Sequence, residues 1–86
     1  MNIKNQLVTL IIPKQNEVGS FIHLLINDEV YLIHDKTNQK LHSRIKNLPD
    51  GKYRVQISGL ISQETGYFPN PMEKFDVIEL IDFTIL

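Results

Sequence analysis

The sequence predicts one small, mostly β domain, built of five short strands with a single helix between the third and the fourth. Three observations carry that reading. The chain has 86 residues, too few for two ordinary domains, and can bury only somewhat more than half of its unfolded surface, roughly 60%. Its apolar residues recur mostly with the period of two that a pleated strand requires. Polar, proline- or glycine-containing segments divide those runs, without any repeat, low-complexity tract or linker that would split residues 1–86 into more than one domain.

Leu7 to Ile12 (LVTLII) is a β-branched run ended by Pro13, which has no N–H to give to a ladder, and the polar stretch Lys14 to Gly19 reads as a loop. Ser20 to Ile26 and Val30 to His34 are two apolar segments joined by Asn27-Asp28-Glu29. A connection that short predicts an antiparallel hairpin. From Asn38 onward Leu41, Ile45 and Leu48 are spaced four and three apart among Lys40, His42, Arg44 and Lys46, the pattern of a two-turn amphipathic helix capped by Thr37 or Asn38.

Leu48-Pro49-Asp50-Gly51 stops that helix in a turn, proline presetting φ and glycine tolerating the positive φ on leaving. Lys52 to Ile61 then alternates most cleanly, Tyr53, Val55, Ile57, Gly59 and Ile61 on one face and Lys52, Arg54, Gln56 and Ser58 on the other. Ser62 to Lys74, with Gly66, Pro69 and Pro71, is read as a long loop. Phe75 to Leu86 is the fifth strand, and its alternation slips between Val77 and Ile78. That slip predicts a bulge or a strand covered on both faces.

Composition narrows the chemistry. The chain contains no cysteine, so disulfides, thiolate metal sites and a thiol nucleophile are excluded. His23, His34 and His42 match no zinc-ligand spacing, the serines lie in no nucleophile-elbow context, and the four glycines are scattered singly instead of forming a phosphate loop. His34 and Asp35 are adjacent strand residues pointing to opposite faces, so they do not form a base and its orienting acid. The acids of the loop and last strand read as solubilising an edge. No catalytic residue, cofactor or metal is expected, and binding is the remaining class of function.

The net charge is −1, with six Lys/Arg between Lys36 and Arg54 and four acids between Glu73 and Asp82. That net charge argues against a strongly electropositive nucleic-acid binder, and the basic middle and acidic end read as solvated faces of a small domain. The N-terminal apolar run is too short for a signal sequence, and no membrane span is evident, so a cytoplasmic protein is expected.

The order β-β-β-α-β-β, with Gly51-Lys52-Tyr53-Arg54-Val55-Gln56-Ile57-Ser58-Gly59 as its fourth strand, resembles the OB-fold, a five-stranded Greek-key barrel. An SH3-like barrel is the alternative, although its helical turn usually precedes the last strand. The resemblance implies a small binding module whose ligand is single-stranded DNA or RNA, lying across strands two and three between the first loop and the last. Mapped onto this sequence, the residues implied are Lys14 in the first loop, His23, Tyr31 and His34 on the hairpin, Lys36 beyond it, Lys52 and Arg54 extending the basic surface, and Tyr67 and Phe68 in the last loop. Tyr31 has a competing role as a core residue, and Tyr67 and Phe68, before Pro69-Asn70-Pro71, have one in pinning the long loop onto the barrel. A second reading is an interaction or assembly module that meets a protein partner or a second copy of itself through Leu7 to Ile12, Leu24 to Ile26 and Phe83 to Leu86.

Overall fold

A computed structural model of the chain describes residues 1–14, 21–67 and 70–86. Its elements are β1 (Asn2–Ile12), β2 (His23–Ile26), β3 (Glu29–Ile33), α1 (Gln39–Lys46), β4 (Gly51–Glu64) and β5 (Phe75–Ile85). The strands close into a barrel in the order β1-β2-β3-β5-β4, and every pairing is antiparallel except β3 with β5. This is the OB-like arrangement. With the helix between β3 and β4, it is not the SH3-like alternative.

β1 and β4 run longer than their alternation alone implied. β1 begins at Asn2 instead of Leu7, because its polar first half is held by β4 and not by burial. β4 continues to Glu64 against β5, into what reads in the sequence as loop. Since β5 lies between β3 and β4, its acids do not guard a sheet edge. β2 is shorter, starting at His23; Ser20 lies outside the described residues, and Phe21 and Ile22 precede the ladder. The hairpin turn is Asn27-Asp28 alone, with Ile26 facing Glu29. Both turn residues have positive φ, 52° and 66°, the backbone of a two-residue turn that Asn and Asp tolerate.

One face of each strand fills the barrel. Val8, Leu10 and Ile12 of β1, Leu24 and Ile26 of β2, Val55 and Ile57 of β4, and Ile78, Leu80 and Phe83 of β5 form a single buried cluster. Helix α1 closes one end by inserting Ile45, its one buried residue. Asn38 caps it, Oδ1 accepting the Lys40 N–H at 2.8 Å, and Arg44 and Lys46 in the last turn complement the helix dipole. Arg44 also lies over the Phe83 ring, 5.4 Å from its centroid, so helix and barrel are joined by a cation as well as by packing.

Two irregularities break the ladders, and a hydroxyl answers each. Between Ile3 and Gln6 the register of β1 shifts, Asn5 takes φ 50°, and its N–H donates to Ser58 Oγ at 2.9 Å. On β5 the extra residue is Ile81, since Ser58 faces Asp82 while Gly59 faces Leu80. There the buried Leu80 N–H donates to Thr37 Oγ1 at 3.0 Å. Val77 and Ile78 are both fully buried, so the slip in alternation is a strand covered on both faces, with the bulge three residues further on. Val77 pairs with Leu32 on the outside of the barrel, and Leu32 is buried there too.

Candidate functional site

The outer face of β4, β1, β2 and β3 is laid out by register. Because inward residues alternate with outward ones, the neighbours on the outside form rows across the strands. Lys52 pairs with Ile11, which pairs with His23. Arg54 pairs with Thr9, Thr9 with Leu25, and Leu25 with Val30. Gln56 pairs with Leu7. The face therefore has cations along β4 and an apolar centre on β1, β2 and β3. Two strand spacings, about 10 Å, separate the Lys52 position from that of His23.

His23 carries a second ring beside it. Phe21 lies edge-on to His23 with centroids 5.6 Å apart, and His23 Nδ1 is 3.0 Å from the Phe21 carbonyl oxygen. Lys14 is exposed just beyond the end of β1, at the same end of the barrel as Lys52. Of the residues the OB-like resemblance implied, His23, Lys52 and Arg54 are thus brought to one face, with Lys14 at the end of the barrel nearest Lys52.

The remaining ones are placed differently. Tyr31 pairs with Leu24, an inward residue, and packs against the core, while its hydroxyl donates to Glu29 Oε2 at 3.3 Å. It is a wall of the barrel and not a platform on the outer face. Partial burial, followed by the field of Glu29, holds its phenol above the ordinary value. Phe68 lies outside the described residues.

His34, Lys36 and Tyr67 meet, but around a different partner. His34 is buried, and its Nε2 is 2.6 Å from Glu64 Oε2. The Lys36 N–H donates to Nδ1 at 2.9 Å, so Nδ1 carries a lone pair and the proton sits on Nε2, donated to the carboxylate. His34 is thus oriented between a backbone donor and a carboxylate at the start of the segment leading to α1. The Tyr67 ring lies edge-on to it, centroids 6.3 Å apart, and the Tyr67 hydroxyl accepts the Asp35 N–H at 3.3 Å. Burial raises the Tyr67 phenol above its usual value, outweighing the opposing Asp35 N–H. These contacts fasten the loop after β4 onto the end of β3.

Glu64 has no sequence signal. Thirty residues separate it from His34, and only the closing of β5 between β3 and β4 brings them together. The Ser62 hydroxyl, donating at 2.9 Å, is the main cause that lowers the Glu64 carboxyl below its ordinary 4.5, with His34 and Lys36 adding to it. A lowered folded value means that Glu64 stabilises the fold above the unfolded value, and that the contribution is lost as pH falls through the folded one. The stability difference between wild type and Glu64→Gln is therefore expected to shrink as the pH of urea titrations is lowered below about 4.5. A difference that stays constant with pH would show that the carboxylate charge plays no part.

At the end of β3, beside α1, lies a cleft of about 240 Å³ lined by Phe21, Ile22, Leu32, Ile33, Asp35, His42, Ile45, Lys46 and Tyr67. Its floor is apolar, and its polar groups come from the end of β3 and from α1. Nothing in the sequence marks it, because it is assembled from four segments. Among the described residues no group of three or more His, Cys, Asp or Glu side chains could hold a metal ion, and no helix is long and apolar enough to cross a membrane. No family model, curated protein or solved structure matches this chain.

Proposed function

We propose that this chain is a non-catalytic module that binds single-stranded nucleic acid on the outer face of β4, β1 and β2. The observation that carries it is the row structure of that face. Lys52 and Arg54, about 7 Å apart along β4, supply positive charge for a phosphate backbone, and the Phe21–His23 pair and Leu25 supply surface for bases two strands away. Cations tracking the backbone beside rings that accept a base of any sequence are what such binding needs. The cytoplasmic location expected from the N-terminal sequence belongs to this proposal.

Amide chemical-shift mapping tests it. Adding an unstructured single strand should move Thr9, Ile11, His23, Leu25, Lys52 and Arg54 and leave Leu60 and Ile81, on the far side of the barrel, unmoved. Shifts confined to the far side, or none at low salt, would overturn the reading.

A second reading, a protein partner or a second copy, is favoured by the exposure of Leu7 and Val30, 52% and 46%, on the same face. Of the segments that suggested it, Val8, Leu10, Ile12, Leu24, Ile26 and Phe83 are inside the barrel. What is left is Leu7, Ile11 and Leu25 with Val30, and the exposed Ile85 and Leu86, the latter's N–H donating to the Arg54 carbonyl oxygen. Mass in solution tests the second copy, since self-assembly requires a species heavier than the 10.0 kDa monomer, and a monomer counts against self-assembly but not against a foreign partner.

A further inference from the structure

We infer that the cleft beside α1 receives one unpaired guanine of the bound strand, an inference that rests on the nucleic-acid reading above. Its size comes first. At about 240 Å³ it is below the roughly 300–1,000 Å³ of pockets that take drug-sized ligands, and suits a single planar ring system. Its position comes second. Phe21 belongs both to the cleft and to the ring pair beside His23, so the cleft continues the proposed binding face.

The lining then sets orientation. Leu32 and Ile45 at the floor are 5% and 1% exposed, and Ile33 packs against the core beside them. A heterocycle entering edge first would bury ring nitrogens and carbonyls against these side chains without partners, which is costly. It therefore lies with its face on the apolar floor and its polar edge toward the rim, where Asp35, His42 and Lys46 stand.

Those rim groups select the base. An ionised carboxylate only accepts hydrogen bonds and an ammonium only donates them. Among the described residues no side-chain hydrogen bond or ion pair occupies the Asp35 carboxylate or the Lys46 ammonium. Guanine presents two adjacent donors, N1–H and the N2 amino group, which match a carboxylate, and two adjacent acceptors, O6 and N7, which match a lysine. Adenine and cytosine each offer one amino group, and thymine offers a single N–H between two carbonyls. His42, one turn before Lys46 on α1, adds either a donor or an acceptor at the same edge.

The test uses the intact chain and labelled oligothymidylate carrying at one central position thymine, guanine or inosine, which lacks the N2 amino group. The guanine strand is expected to bind roughly ten-fold tighter than the all-thymine strand, with inosine in between. Asp35→Ala should erase the guanine preference, so that the guanine, inosine and thymine strands bind alike. Phe21→Ala should weaken every strand. Equal affinity for all three strands, or a preference that survives Asp35→Ala, would overturn the guanine site while leaving the binding face intact. Failure of every strand to bind at low salt would remove both.

Discussion

Replacing Gly59 with alanine is expected to cost the barrel about 3 kcal/mol or more, a large part of the roughly 5–15 kcal/mol that stabilises a domain. The reason is the closeness of β4 and β5 at the Ile81 bulge. A Cβ built on Gly59 overlaps the carbonyl oxygen of Glu79 and meets Ile78 Cγ1 at 3.0 Å. Neither obstacle can turn aside. The first is backbone in a paired strand, and the second belongs to a fully buried side chain. Relief would require the two strands to part where Thr37 holds the Leu80 N–H, so the strain spreads into the link between β3 and α1. Thermal or urea unfolding measures the effect. An alanine variant within a degree or two of wild type would mean that the strands are not this close.

The second large effect falls on binding. Lys52→Glu together with Arg54→Glu is expected to lower affinity for single strands about ten-fold or more at low salt, and to flatten the salt dependence. Each phosphate contact to a single strand contributes about 0.7 to the slope of log affinity against log salt, so losing both removes about 1.4. Both side chains are exposed on β4, so folding should be nearly unaffected, surface changes of this kind usually falling within about 0.5 kcal/mol. Retained affinity with an unchanged slope would place the strand elsewhere on the protein.

What the sequence made legible follows from what acts locally. The alternation of Lys52 to Ile61, the spacing of Leu41, Ile45 and Leu48 with Asn38 before them, and the Pro49-Gly51 turn all specify their elements within a few residues. Gly51 does take a positive φ, 144°, as the turn requires. The bulge at Asn5 and the position of the one in β5, at Ile81, were not legible, because each is met by a hydroxyl more than forty residues away. Tyr31 shows how one residue of turn length decides a side. Counting Glu29 into the hairpin connection leaves the facing of Tyr31 open, whereas the two-residue Asn27-Asp28 turn sets it opposite Leu24 and so inward. A one-residue change in register moves every side chain to the other face.

The candidate site was legible only in part. Lys52, Arg54 and His23 follow from alternation once strand order is known, and Lys14 from its place after Pro13. The buried His34, its Glu64 partner and the cleft beneath Tyr67 depend on barrel closure, and so does the opportunity for Asp35 and Lys46 to face a common ligand. His42 and Lys46 read in the sequence only as the polar side of a helix. Glu64 read as a solubilising loop acid, and the extra length of β4 is what turns it into a structural anchor.

The most direct test of the account is a fluorescence-anisotropy titration of the wild-type chain with a labelled unstructured single strand and with a duplex of the same length, at low and at physiological salt. Binding of the single strand that weakens as salt rises, with the duplex bound less well, is the result expected from an apolar and aromatic face beside Lys52 and Arg54. No binding of the single strand at low salt, or equal binding of the duplex, would contradict it.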